Sequence, residues 1–380
     1  MNKKEKFVAK TFAGLEILLK DELEKLGAEN CQICNRAVEF EGEFDMMYRA
    51  NYFCRYALRI LWQVHQFNFR DNKQFYDAIF NYPAEQILHY NGTLAVSTTM
   101  HDAIFKTPLF AAQLAKDAIC DRFRDKYNER PSVDKENPDV QFHIHILRSQ
   151  ATLFLDSSGE SLHKRGYRVS AHPAQINEVI AAGMVKLSGW TARCDLIDPM
   201  CGSGTILIEA AMQALNIPAG FYRDNYGCFK WKNFDRYTWK KITDEADILD
   251  DVPITFYGFD ISARFLGMAK ANVKEARLSD FIRLSRCSMQ DSEPKNTPAM
   301  LIFNPPYGER MEIDNIEDFY HEIGDALKKH YTNCTAFIIS SNIEAIKNIG
   351  LHASKKYTLF NGALECKYLK FDLYQGSKSK

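Results

Sequence analysis

Three short strings carry groups whose types and spacing suit chemistry. Asp198-Pro199-Met200-Cys201-Gly202-Ser203-Gly204-Thr205 falls where an apolar run ends and a helix begins. Glycines there let a ligand approach the backbone, and the helix start offers unpaired N–H groups. A dinucleotide fingerprint has three spaced glycines and an acid roughly 20 residues further on; this string lacks the third glycine. It has no lysine after Gly204, so it is not a phosphate-binding P-loop. Gly258-Phe259-Asp260 closes the next strand, where a carboxylate can accept two hydrogen bonds from ribose hydroxyls. Asn304-Pro305-Pro306-Tyr307 follows the apolar run Met300-Leu301-Ile302-Phe303. Its prolines fix the backbone and remove two donors. What remains is the Asn304 amide oxygen and backbone carbonyls as acceptors, beside the flat face of Tyr307. That set suits a planar group bearing an NH₂.

The elements that must position these strings alternate. Helices are expected over 178–188, 205–215, 263–277 and 319–330, and strands over 194–198, 254–259, 281–284, 299–303 and 336–339. Such a βαβ series implies a parallel sheet with helices on both faces. Strands over 357–360 and 368–373 flank Asn361-Gly362, which predicts a terminal hairpin. The first third reads instead as mixed α and β. Strands are expected over 7–9, 37–40 and 56–64, with a helix over 15–26 that ends at Gly27. A helix over 75–80, a strand over 93–98, a helix over 109–127 and strands over 142–147 and 152–155 follow. The domain junction is placed at the basic segment 161–168, read either as a solvated linker or as a basic patch beside a polyanion site.

The glycine string and the Asn-Pro-Pro-Tyr string resemble those of class I S-adenosylmethionine-dependent methyltransferases acting on exocyclic or amide nitrogen. A longer set is similar to one bacterial family. It comprises residues 198–205, Asn304-Pro305-Pro306-Tyr307-Gly308-Glu309-Arg310 and Tyr357-Thr358-Leu359-Phe360-Asn361-Gly362-Ala363-Leu364-Glu365-Cys366. The family is the THUMP-domain methyltransferases of large-subunit ribosomal RNA, whose best-known activity is guanine-N2 methylation and whose members often carry an adenine-N6 DNA methylase label. The string 158–168 extends the likeness along nearly the whole chain. Where the family commonly has Ala-Pro, this chain has Ala174-Gln175, which bears on the entrance of the cofactor pocket. Some members carry a second methyltransferase domain; from the length of this sequence none is expected here.

The resemblance implies an α/β, Rossmann-like class I methyltransferase domain over 163–380 with a terminal β-hairpin. A ferredoxin-like segment over 1–56 and a THUMP RNA-binding domain over 57–162 would precede it, an α+β region. It implies S-adenosylmethionine as cofactor, with Asp198, Gly202 and Gly204 at its methionine end, Asp260 on the ribose and Asp291 near the adenine. Asn304, Pro305 and Tyr307 would hold the target base. The substrate implied is RNA, of the ribosome's large subunit, methylated at guanine N2. Adenine-N6 methylation of DNA or RNA, and protein glutamine methylation, share the Asn-Pro-Pro-Tyr motif and stand as alternatives.

Composition sets the outer bounds. With 380 residues, 46% hydrophobic and 26% charged, the chain is ordinary globular protein, of two or three domains at roughly 150 residues each. No apolar run approaches the roughly 18 residues of a membrane span, and the basic start has no apolar core behind it, so a cytoplasmic protein is expected. Forty-eight basic residues against 49 acidic ones give a net charge of -1, so any basic face for nucleic acid must be local. Aromatics and cations interleave over 221–241, which suits single-stranded RNA or an insertion packed on a sheet edge. Among ten cysteines, Cys31 and Cys34 are the close pair, and His143 and His145 could complete a zinc set with them. The alternation of those histidines fits a half-buried strand better, so no metal is expected.

Overall fold

The computed structural model describes residues 4–170, 175–307, 315–362 and 364–375. Ala174, Gly308, Glu309, Arg310 and Ala363 of the motif strings lie outside the described residues. The chain divides into two compact units. One comprises residues up to Thr11, Leu19–Leu162 and Asp224–Glu245; the other Phe12–Leu18, His163–Arg223 and residues from Ala246 onward. The chain thus crosses between units five times, and the junction expected near 162 is one of the five.

The first unit holds β1 (Glu5–Lys10), β2 (Glu29–Cys34), β3 (Ala37–Gly42), β4 (Arg59–Asn68), β5 (Thr93–His101), β6 (Ser132–Val133), β7 (Val140–Leu147) and β8 (Gln150–Asp156). They form one sheet in the order β2-β3-β1-β4-β8-β7-β5-β6. The helices are α1 (Glu16–Lys25), which begins before the unit's boundary at Leu19, α2 (Asp45–Phe53), α3 (Asn72–Asn81) and α4 (Pro108–Tyr127). Phe142, Ile144 and Ile146 of β7 are buried along with Ala115, Ile119 and Phe123 of α4, while His143 and His145 face the other way. This is the period-2 alternation read from the sequence. His143 meets the hydroxyls of Ser97 at 3.0 Å and Thr99 at 3.2 Å. Four strands stand between β2, with its two cysteines, and β7, so those residues cannot share a metal.

Three features here escaped local patterns. Helix α2 buries six of its nine residues and lacks a side-chain cap, so no polar face marks it. Strand β4 runs past its expected end to Asn68 because a register shift at Gln63/His65 carries its pairing with β8 onward. The segment Asp224–Glu245 joins this unit through aromatics: Phe234 and Trp239 meet Tyr48 edge-on at 5.6 and 5.7 Å, and Trp231 lies 6.2 Å from Trp62. Its helix, α7 (Arg236–Thr243), and the buried Trp231 thus belong to an insertion packed by its rings, and Lys232 Nζ is occupied by the Glu85 carbonyl. Tyr237 remains 80% exposed.

The second unit holds helix α5 (Glu178–Ser188), strand β9 (Leu196–Asp198), helix α6 (Thr205–Ala214), strand β10 (Phe256–Asp260), helix α8 (Ala263–Glu275), strands β11 (Ile282–Arg286) and β12 (Met300–Phe303), helix α9 (Ile316–His330), strand β13 (Thr335–Ser340) and the strands β14 (Lys355–Asn361) and β15 (Leu364–Asp372). The sheet order is β11-β10-β9-β12-β13-β15-β14. The first five strands are parallel, and β15 and β14 close the sheet antiparallel. Leu301, Ile302 and Phe303 are wholly buried, which explains why β12 reads as an unbroken apolar run. The order reverses at β9, with β10 on one side and β12 on the other. Ligands in such sheets bind beyond the carboxyl ends of the strands at that switch point. Among the described residues, no helix is long and apolar enough to cross a membrane.

Candidate active site

The switch point carries a cavity of about 420 Å³ within the second unit. Asp198 at the end of β9, Gly202 in the following turn, Asp260 at the end of β10 and Asn304, Pro305 and Tyr307 after β12 all line it. Six of the eight residues singled out from the sequence therefore share one wall. They come from three separate strand ends, which is why no single stretch of sequence displays the site.

The glycine turn is fastened to the neighbouring strand. Cys201 N–H donates to the Phe259 carbonyl at 2.8 Å, and Gly202 N–H donates to Asp260 Oδ2 at 2.9 Å. The other carboxylate oxygen of Asp260 accepts from Ser262 N–H at 2.8 Å. Gly202 has φ +53°, and a Cβ there would meet nothing within 4 Å, so its missing side chain leaves open space on the cavity side. Asp198 is 1% exposed and accepts from Met200 N–H at 3.1 Å. Burial pushes its carboxyl well above the usual carboxylate range, and the nearby Asp260 charge adds to the shift.

Two expected residues stand elsewhere. Gly204 caps α6 at φ +79°, with the Ala269 methyl 3.4 Å from where its own Cβ would lie. It starts the helix and lets α8 pack closely, and it does not line the cavity. Asp291 is exposed and turned back on its own turn, accepting from the Ser288 hydroxyl at 2.6 Å. The short helical turn Met289–Asp291 instead presents Met289 and Gln290 to the cavity.

Behind the Asn-Pro-Pro-Tyr turn, the Tyr307 hydroxyl donates to Asn304 Oδ1. The Tyr307 carbonyl accepts from Asn342 at 3.3 Å, and Tyr320 hydroxyl donates to the Pro306 carbonyl at 3.4 Å. The turn is therefore held by β13's end and by α9. Asn361 and Leu364, at the tip of the terminal hairpin, also line the cavity. The Asn361-Gly362 turn marked that hairpin in the sequence, but nothing local indicated that it reaches the site.

In the basic segment near 165, Lys164 is exposed, but Arg165 and Tyr167 are built into the fold. Arg165 is 1% exposed and pairs at 3.4 Å with Glu209, which is itself wholly buried. Tyr167, also wholly buried, donates to the same carboxylate at 3.0 Å. Val169 and Ser170 N–H both donate at 3.0 Å to Asn272 Oδ1, and Asn272 Nδ2 donates to the Ser203 carbonyl at 3.1 Å. This strap is thus built into the wall behind the glycine turn.

Comparison with known proteins agrees with this geometry. Residues 165–370 match the model described as an RMKL-like methyltransferase domain, 69–156 that of a THUMP domain and 6–61 that of an RlmL ferredoxin-like domain. A ribosomal RNA large subunit methyltransferase K/L of Syntrophotalea carbinolica is 37% identical across 97% of this chain, which covers 53% of that protein. The chain spans about half the length of such relatives. A Synechocystis protein provisionally named an RNA methyltransferase is 34% identical, with 97% of both chains covered. Among solved structures, SMU.472, described as a methyltransferase complexed with SAH, has a TM-score of 0.87 at 29% identity, with both chains covered in full. A Listeria monocytogenes protein provisionally called an N6-adenine-specific DNA methylase has a TM-score of 0.87 at 29% identity, covering 99% of this chain and 97% of its own.

Proposed function

The chain belongs to the RMKL-like methyltransferase family, and on that premise we propose that it transfers a methyl group from S-adenosylmethionine to the exocyclic amine of a base in RNA, guanine N2 of large-subunit ribosomal RNA. The observation that carries the reading is the meeting of the glycine turn and the Asn304–Tyr307 turn in one cavity at the sheet's switch point. The THUMP match and the names of the relatives support RNA as the substrate class, and ribosomal RNA implies work in the cytoplasm.

The residues present fit such a cofactor. The cavity volume lies within the range of about 300–1,000 Å³ usual for small-molecule sites. Both Asp260 oxygens already accept one backbone N–H, but a carboxylate offers about four lone-pair sites. Two therefore remain for ribose hydroxyls. Ile261, which is 69% exposed, and Met289 give apolar surfaces beside that carboxylate. When bound, the cofactor supplies a sulfonium methyl that is already activated, so positioning matters more than a strong base.

The chain's own work is then to present the amine. Asn304 Oδ1 has two lone pairs; Tyr307 occupies one, and the other is left to accept from the amine. Accepting at Asn304 and at the Pro305 carbonyl draws the nitrogen toward tetrahedral geometry and frees its lone pair from the ring. In-line placement at about 3–3.5 Å can itself supply several kcal/mol. A paired base must first be unstacked, at a cost of a few kcal/mol. Stacking on Tyr307 returns roughly 1–3 kcal/mol, so contacts to the RNA backbone must contribute the rest.

The test is methyl transfer from labelled S-adenosylmethionine to ribosomal RNA of a strain lacking this gene, followed by digestion to nucleosides. Label in N2-methylguanosine is expected. Label in N6-methyladenosine selects the adenine alternative, and label recovered only in protein or DNA overturns an RNA substrate.

A further inference from the structure

We propose that Arg168 is a positioning residue that builds the end of the cavity which receives the cofactor's carboxylate, and that it does so without lining the cavity. The inference rests on the cofactor reading above. A guanidinium has five N–H groups in a planar fork, and all five of Arg168 are directed at acceptors. Nε donates to buried Glu178 at 2.7 Å. Nη1 donates to the Gln175 side chain and to Ser203 Oγ at 3.4 Å. Nη2 donates to the Ile176 carbonyl at 3.4 Å and to Thr205 Oγ1 at 3.1 Å. Gln175, Ile176, Ser203 and Thr205 all line the cavity; Arg168 stands behind them.

The consequence is directional. A hydroxyl oxygen that accepts from a guanidinium keeps its own proton free to donate elsewhere. Ser203 and Thr205 also bond each other at 3.3 Å, which uses one of their two protons, so one hydroxyl is left as a donor into the cavity at the start of α6. Glu178 balances the Arg168 charge, so the pair acts by orientation rather than as a bare cation. S-Adenosylmethionine has one anionic group, its amino-acid carboxylate, and a hydroxyl donor at a helix N-terminus favours an anion. The adenosine half is neutral and lies with Asp260. Loss of the Arg168 fork should accordingly weaken recognition of the amino-acid half and spare the adenosine half.

The experiment is calorimetry on the full chain with two probes. S-Adenosylhomocysteine carries the amino acid, and 5′-methylthioadenosine lacks it. Arg168→Lys keeps a charge near Glu178 but cannot reach all five acceptors. The expected result is a loss of roughly 10- to 100-fold for S-adenosylhomocysteine, the size of hydrogen bonds to a charged group, with 5′-methylthioadenosine changed less than about threefold. If Arg168→Lys fails to fold, Arg168→Met with Glu178→Gln removes both charges together and is read the same way. Equal losses for both probes, or no loss for either, overturn the positioning role. Wild-type protein that binds neither probe overturns the cofactor reading itself.

Discussion

Gly202 N–H donates to Asp260 Oδ2 at 2.9 Å, across 58 positions of sequence. The residue that opens the glycine turn and the acid that closes the next strand are thus one device. Removing the carboxylate loosens the turn as well as the ribose contact. Asp260→Ala is expected to weaken S-adenosylhomocysteine binding by at least about tenfold, and Asp260→Asn by a similar amount. The amide can accept from Gly202 or from Ser262 but not from both, since its nitrogen only donates. Unchanged affinity in calorimetry would remove Asp260 from the site.

At Asn304, the expectation is normal folding and cofactor affinity with turnover lowered about 10²–10³-fold in Asn304→Ala, as for loss of one preorganised polar contact. Tyr307→Phe would cost little if stacking were its whole role. The hydroxyl's bond to Asn304 changes that outcome. Losing about 1 kcal/mol of orientation should slow transfer roughly fivefold, while Tyr307→Ala adds the loss of stacking. Single-turnover methyl transfer at saturating cofactor separates the three variants. Wild-type rates for Asn304→Ala would sink the role assigned to this turn.

Leu15 is wholly buried, and in the second unit its Cδ2 would stand 2.6 Å from a Cβ added at Gly183. Leu15→Ala should cost about 2–5 kcal/mol and lower the midpoint of the transition that S-adenosylhomocysteine stabilises. A chain cut to start near His163 loses Phe12–Leu18 altogether and is expected to be insoluble. Truncation there does not divide RNA binding from cofactor binding cleanly. A soluble fragment with full cofactor affinity would contradict this.

His143 stays neutral down to about 4, chiefly through burial, with the Lys10, His145 and Arg59 charges adding to it. In the unfolded chain the imidazole titrates near about 6.5. A folded pKa below the unfolded one makes the unfolded state the better proton acceptor. Stability contributed here is complete above about pH 6.5 and is lost as the pH falls toward about 4. His143→Gln, which keeps a partner for Ser97 and Thr99, should flatten the denaturation midpoint across that window. Parallel pH profiles for the two proteins would refute the assignment.

The parallel sheet was legible because β9 and β12 are apolar on both faces and because β9 and β10 end in Asp and β12 runs into Asn-Pro. The site residues at those ends were legible for the same reason. What stayed hidden depends on partners far along the chain. Arg165 looks like a solvated charge until Glu209, 44 positions on, buries with it. Asp291 has the residue type for a ligand contact, but its side chain is taken by Ser288, a local bond that the type alone does not reveal. Gly204 and Gly202 are identical in sequence, and only the approach of Ala269 separates a packing glycine from one that opens the cavity. Asn361 needed the whole sheet to be closed before its position was defined.

The interleaving of the two units bears on how the protein is made. Phe12–Leu18 is synthesised among the first residues yet belongs with strands translated last, and the first unit waits for Asp224–Glu245. Between Leu162 and Glu245 lie about 80 residues, roughly 4–16 s of translation at 5–20 residues per second. Throughout that interval Tyr48, Tyr52 and Trp62 lack the rings that later pack on them. A ribosome stalled in this stretch therefore carries a nascent chain with an aromatic face bare to its surroundings, the form of this protein most in need of a chaperone.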